Sequence, residues 1–209
     1  MTSLEKLSTL FERFPGIGPR QARRFVYHLL TQEPRYLAEL ADLIASIQNR
    51  VTECTKCFRF FAKNGAGETT CEICANSERD HALLMVVERD SDIPPIEKSD
   101  TYNGYYFVLG GTIPLLDSED AKKLRGGALK KIIEARAAEG LKEVILACSV
   151  NPDGENTSRY VAGLLEDLAK THGLTVSTLG RGLSTGSELE YADPETIKSA
   201  LQNRSKGSL

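Results

Sequence analysis

Apolar residues in the first quarter of the chain recur at helical spacing. Leu4, Leu7, Leu10, Phe11 and Phe14 share one helical face and stop at Pro15, and Ala22, Phe25, Val26, Leu29 and Leu30 restart the period after Pro19. The pattern predicts helix, tight turn, helix. A third helix is predicted over 34–51, with Leu37, Leu40, Ala41, Ile44 and Ile47 on its apolar face. Further on the pattern changes to short continuous apolar runs. Residues 83–87 read Leu-Leu-Met-Val-Val and end in Glu88, residues 105–109 precede Gly110 and Gly111, and residues 144–148 end in Cys148. Such runs suit strands buried on both faces. Residues 174–179 alternate more and predict a fourth strand, while helical patterns over 121–139 and 158–172 lie between the runs. Strand and helix therefore alternate as in a parallel sheet covered on both faces. The expected fold class is α/β with an all-helical N-terminal module.

Between these parts stand Cys54-x-x-Cys57 and Cys71-x-x-Cys74, with thirteen residues separating the pairs. A C-x-x-C turn presents two thiolates to one ion, and two such turns complete a tetrahedral zinc site. The intervening segment holds a short apolar run, Phe58 to Phe61, and then a glycine turn, a core too small to fold without a staple. Disulfides or redox thiols are the alternatives. The odd fifth cysteine, Cys148, speaks against a disulfide framework, as does the lack of an apolar signal region in the first ten residues. Cys148 itself reads as a buried small hydrophobe. No run of about eighteen apolar residues occurs, so a cytoplasmic protein without a membrane span is expected.

The 209 residues are 41% hydrophobic and 26% charged with a net charge of −3, so nucleic-acid binding would have to come from a local patch. One patch is visible. Arg13, Arg20, Arg23 and Arg24 occur with no acidic residue from Arg13 through Gln32, around the turn Pro15-Gly16-Ile17-Gly18-Pro19. Gly16 and Gly18 would let the backbone turn sharply and expose N–H groups at the start of the next helix, a natural seat for phosphate. Arg20 and Arg24, one helical turn apart, add charge on the same face. This is the pattern of a helix-hairpin-helix, which holds the nucleic-acid backbone without reading sequence. The competing reading is a helix–helix corner that needs glycine for packing; the lack of acids favours DNA.

Carboxylates follow two of the predicted strands. Glu88, with Asp90 and Asp92 just beyond, follows the first, and Asp153 and Glu155 follow the third. If those strands are neighbours, up to four acids converge where ligands of parallel sheets gather, a geometry suited to Mg²⁺. The plainer alternative is solvated acids on loops, and local sequence favours it. The run Gly180 to Gly186 is a poor match to a dinucleotide fingerprint, no phosphate loop of the G-x-x-x-x-G-K-[ST] type occurs, and His28, His81 and His172 have no nucleophile pattern nearby.

The order of pieces carries further than any one of them. Gly16-Ile17-Gly18-Pro19, the four cysteines, Val86-Val87-Glu88, Tyr102-x-Gly104, Val108-Leu109-x-Gly111, residues 143–147, Asp153-Gly154-Glu155-x-Thr157 and residues 189–193 stand in this sequence as they do in the RecR family of bacterial recombination mediators. From Leu4 to Arg204 the chain resembles that family. It departs from the family's pattern after Gly111, where Thr112-Ile113-Pro114 replaces serine-proline-leucine and a G-I-G-P loop is missing, and at Asn151, Thr178 and Ser184.

The resemblance implies a Toprim-type parallel-sheet domain with a small four-cysteine zinc-binding insert. It divides the chain into a helix-hairpin-helix DNA-binding module over 1–53, a zinc finger over 54–80, a Toprim domain over 81–176 and a C-terminal motif and tail for subunit contacts over 177–209. It implies a non-enzymatic DNA clamp, a homo-oligomer forming a dimer or tetramer ring. Such a clamp joins RecO, and in many bacteria RecF, to load the RecA recombinase onto gapped single-stranded DNA. By the same resemblance Cys54, Cys57, Cys71 and Cys74 hold structural Zn²⁺, Gly16, Gly18, Arg20 and Arg24 contact DNA, and Glu88, Asp92, Asp153 and Glu155 receive RecO or a Mg²⁺ ion. The rival is an enzyme, a Mg²⁺-dependent Toprim nuclease or primase-like protein using Glu88 with Asp153 and Glu155.

Overall fold

Chain contacts divide the molecule into two units, Met1–Thr52 and Glu53–Leu209. The computed structural model describes residues 1–63, 65, 67–114, 122–180, 182–183, 186 and 188–203. Parts of the glycine turn between the cysteine pairs, the segment where the G-I-G-P loop is missing, Arg181, Ser184, Thr185, Ser187 and the polar tail lie outside the described residues.

In the smaller unit, α1 (Ser3–Phe11), α2 (Pro19–Leu30) and α3 (Pro34–Arg50) follow one another. Thr2 and Glu5 form a capping box at the start of α1: Thr2 Oγ1 accepts from the Glu5 N–H and the Glu5 carboxylate accepts from the Thr2 N–H. α2 and α3 each begin on a proline, whose missing N–H costs nothing there. α1 packs on α2 through buried Ala22 and Val26, with Phe25 edge-on to Phe11 at 5.7 Å. α1 stops at Phe11, short of Pro15. Residues 12–17 tighten instead into turns, with Phe14 N–H on Phe11 O and Ile17 N–H on Phe14 O. No residue of α3 is buried.

In the larger unit, two short strands, β1 (Val51–Glu53, shared with the boundary) and β2 (Phe60–Ala62), bracket the first cysteine pair, and α4 (Glu72–Ala75) carries the last cysteine. A four-stranded parallel sheet follows, built from β3 (Asp80–Val87), β4 (Gly104–Val108), β5 (Glu143–Ala147) and β6 (Thr175–Thr178) in the order β4-β3-β5-β6. The connections run through α5 (Ile93–Lys98), α6 (Gly126–Ala138) and α7 (Pro152–His172), and α8 (Pro194–Gln202) comes last. Leu84 to Val87, all of β4, and Val144 and Leu146 are buried in one core with Leu129 and Ile133 of α6 and Val161 and Leu165 of α7. Burial of this kind on both faces is what continuous apolar strands require.

The chain leaves β3 toward β4 on one side and returns to β5 on the other, so the topological switch point lies between the carboxyl ends of β3 and β5. α7 begins at Pro152, earlier than the predicted start at 158, because Asn151 caps it: its Oδ1 accepts from the Gly154 N–H at 2.8 Å. α6 starts at Gly126, later than the pattern predicted. Among the described residues no helix is long and apolar enough to cross a membrane.

Candidate metal centre and nucleic-acid interface

The four thiols Cys54, Cys57, Cys71 and Cys74 are buried and their Sγ atoms all lie within 4.8 Å of one another. Cys57 Sγ and Cys71 Sγ are 3.6 Å apart, close to the roughly 3.8 Å separating ligands on a tetrahedral ion at a Zn–S distance of about 2.3 Å. None is in a disulfide. The Cys71 N–H points at Cys54 Sγ at 3.4 Å, a contact that favours the thiolate. Thiol hydrogen bonds from Cys57, Cys71 and Cys74 hold Cys54 well below the usual thiol range, while the same closeness to Cys54, then Cys71 and Cys74, pushes Cys57 up. Four sulfurs this close must share protons unless a cation replaces them. The donor set fits a structural metal with a closed coordination shell.

The metal module is tied to the sheet at β4, an edge strand. Cys57 O accepts from the Val108 N–H at 2.8 Å, so the first knuckle covers the edge that a partner strand would otherwise seek. Phe58, held at φ 63, lays its ring edge-on against Phe107 at 5.4 Å. Arg125 lies over the Phe58 ring at 5.2 Å, donates to Val108 O and pairs with Glu53. A second anchor is Arg79, which forks onto Glu97 and donates to Gly104 O, with Tyr106 Oη also donating to Glu97. Sequence reading missed Arg79, Glu97 and Arg125, since lone charges in polar stretches carry no spacing signal.

In the smaller unit the hairpin glycines play different parts. Gly16 stands at φ +77, a left-handed conformation that disfavours any side chain. Gly18 is extended at φ −88, caps α2 with no side-chain bond, and a Cβ on it would meet nothing within 4 Å. The first N–H groups of α2 are thus left without a side-chain cap, and the helix's positive end faces out beside exposed Arg20, Arg23 and Arg24. Arg23 Nε reaches Pro19 O and Arg24 Nη1 reaches Gln21 Oε1, both at 3.4 Å.

The acids take different hydrogen-bond partners. β3 and β5 are neighbours, as a shared crevice requires. Glu88, 2% exposed, accepts from the Ser149 N–H at 2.8 Å and from Ser149 Oγ at 2.7 Å, across the switch point. Asp90 is drawn to the metal module, accepting from the Phe60 N–H at 2.6 Å. Asp92 caps its own turn through the Arg89 N–H. Asp153 and Glu155 sit half-buried in the first turn of α7, where acids complement the helix dipole. Gly154 between them is sterically required, since a Cβ would stand 2.1 Å from Ser149 O. Thr157 is fully buried; it donates to Asp153 O and accepts from the Ile113 N–H. Among the described residues these carboxylates form no group of three with ligand atoms as close as the thiols. Cys148 is half-buried rather than buried, and burial, then the charges of Glu88 and Asp92, push its thiol up to about 12.

Family models match three stretches of the chain: the helix-hairpin-helix of RecR over residues 4–47, a Toprim domain over 82–180 and the C-terminal part of RecR over 182–205. The recombination protein RecR of Synechococcus sp. (strain CC9311) is 39% identical over 194 residues, 93% of this chain and 96% of that protein. RecR of Acidothermus cellulolyticus is 36% identical over 92% of this chain and 90% of that protein, and RecR of Rubrobacter xylanophilus 35% over 97% and 96%. The chain belongs to the RecR family. The fold is accordingly α/β, a Toprim domain preceded by a helix-hairpin-helix and a four-cysteine insert. Within this RecR-family Toprim domain, the buried Glu88 and the acid-bearing first turn of α7 are both fastened to Ser149, one by hydrogen bonds and the other by close approach at Gly154.

Proposed function

We propose that this RecR-family chain is a non-enzymatic DNA-binding clamp for recombinational repair. It acts with RecO, and with RecF where that protein is present, to load RecA onto gapped single-stranded DNA. The observation that carries the DNA contact is the uncapped start of α2 at Gly18, flanked by exposed Arg20 and Arg24 with no acid nearby. Backbone N–H groups at a helix start, backed by guanidinium charge, take phosphate without reading bases. Weak contacts of this kind gain strength when several copies act together. We take α3, where Leu43, Ile44 and Ile47 are exposed, as a face for a second copy. We assign Zn²⁺ to the thiol cluster, residues 1–53 to DNA contact, 54–80 to the zinc finger, 81–176 to the Toprim domain and 177–209 to subunit contacts. In this reading Glu88 organises the Toprim surface, and Asp92, Asp153 and Glu155 present acids to the partner.

The Toprim domain leaves a Mg²⁺-dependent nuclease as the rival. Incubating the protein with a labelled gapped duplex and Mg²⁺ separates the two on matched native and denaturing gels over a salt series. A retarded, uncut duplex whose retention falls with salt supports the clamp. Cleavage that disappears in Glu88→Gln replaces it with the nuclease.

A further inference from the structure

A cleft of about 380 Å³ opens in the larger unit where the metal module, β3, β4 and α6 meet. Lys56 of the first cysteine turn, His81 of β3, Tyr105 of β4, and Ile132 and Arg136 of α6 line it. Glu139 is the one carboxylate on this wall among the described residues, against Lys56 and Arg136, so the wall carries excess positive charge.

Arg136 is unlike the other anchored arginines of this unit. Arg79 and Arg125 both reach carboxylates and carbonyls. The guanidinium of Arg136 lies 4.1 Å over the Tyr105 ring, and its Nη1 is shielded from solvent with no hydrogen-bond partner among the described residues. A guanidinium cannot shed its charge, and a buried N–H without an acceptor is costly. The platform beneath it is fixed: Tyr105 Oη donates to Asn76 O at 2.8 Å, and the His81 ring stands 5.1 Å from the Tyr105 ring. Arg136 and Lys56 line the same cleft, and a stacked guanidinium together with a flexible ammonium suits phosphate oxygens. Ile132 and Ala135 give the cleft an apolar wall for the group that carries the phosphate.

We propose that this cleft is a second anion site, binding the phosphate of a nucleotide unit between Lys56 and Arg136. The choice of a nucleotide as the phosphate's carrier rests on the DNA-binding reading; the anion site itself rests on the cleft alone. The nucleotide is supplied either by the backbone of a bound strand or free in solution.

Calorimetric titration of the zinc-loaded protein with inorganic phosphate, dAMP and an unphosphorylated oligothymidylate tests this. Wild type binds dAMP, and Lys56→Ala combined with Arg136→Met weakens that binding about ten-fold or more. Because Arg136 packs on Tyr105, Lys56→Ala alone, at an exposed position, is the control for folding and still weakens dAMP binding. Oligothymidylate that competes with dAMP in wild type identifies a strand as the source, and dAMP binding without competition identifies the free nucleotide. Absence of both phosphate and dAMP binding in wild type, or unchanged dAMP affinity in Lys56→Ala, overturns the proposal. Arg20→Glu with Arg24→Glu keeps dAMP binding, so loss of duplex binding in that variant and loss of dAMP binding in wild type are separate failures.

Discussion

Glu88 and Ser149 are joined by two hydrogen bonds across the switch point of the sheet, with the glutamate 2% exposed and both of its oxygens engaged. A buried carboxylate that holds a loop in this way is a structural member before it is anything else. Glu88→Ala leaves the Ser149 N–H without its acceptor and is expected to destabilise the larger unit by about 1–3 kcal/mol. Ser149→Ala, which removes only the hydroxyl bond, is expected to cost about 1 kcal/mol. Because the residues share one network, the double variant should cost less than the sum. Urea unfolding of the four proteins measures the coupling, and strict additivity would mean that the pair is not the unit drawn here.

The two hairpin glycines let the proposed DNA contact be tested apart from folding. Gly16→Ala places a methyl group on a left-handed backbone and is expected to cost about 1 kcal/mol of stability in the smaller unit. Gly18→Ala meets no atom, so its stability should be close to wild type, while a ligand backbone approaching α2 would meet the new methyl group. DNA affinity should therefore fall in Gly18→Ala more than stability does. Arg20→Glu with Arg24→Glu should abolish duplex and gap binding while the fold and the metal persist, both side chains being exposed. Single reversals that retain some binding should flatten the salt dependence by about one phosphate contact each. Fluorescence anisotropy across a salt series checks this, and affinity equal to wild type would remove the hairpin from the mechanism.

How far the sequence could be read depended on whether a residue's signal is local. The helical period of α1 to α3, the continuous apolar runs of β3 and β4 and the paired C-x-x-C turns are local patterns set by what each segment must bury or bind, and the structure contains them. Asp90 illustrates the opposite case. It lies beside Glu88 and Asp92 in sequence, yet its partner is the Phe60 N–H of the metal module, a pairing no spacing rule could suggest. The fork of Arg79 on Glu97 and the stacking of Arg136 on Tyr105 are likewise products of the assembled sheet. The start of α7 was missed because its first turn is polar, and only the Asn151-Pro152 cap marks it.

The thiol cluster predicts how metal loss should spread. Metal affinity in a module this small is folding free energy, so Cys57→Ala or prolonged chelation should release the metal and loosen residues 51–80. The effect should reach the sheet edge at the Val108 N–H, which is held by Cys57 O. Hydrogen exchange of Val108 should accelerate in the metal-free protein while Val86, in the centre of the sheet, remains protected. A metal-free variant with wild-type protection at Val108 would show that the knuckle holds its shape without the ion.

Glu97 predicts the acid limb of stability. Burial opposes its charge, but the bonds from Arg79 and Tyr106 outweigh this and hold its carboxyl below the ordinary range, with the ion pair reciprocally raising Arg79. A carboxyl depressed in the folded state binds its proton more readily when unfolded. Its contribution is therefore fully present above the unfolded value of about 4.3 and is lost as pH falls through the folded one. Glu97→Gln should destabilise the protein at neutral pH and reduce the decline of stability below about pH 4.3, because its amide still accepts from Arg79 but no longer titrates. Thermal unfolding of both proteins between neutral pH and about pH 3 reads the difference directly. Parallel curves across that range would assign the acid sensitivity to other carboxylates, with the Arg79 pair reduced to a packing contact.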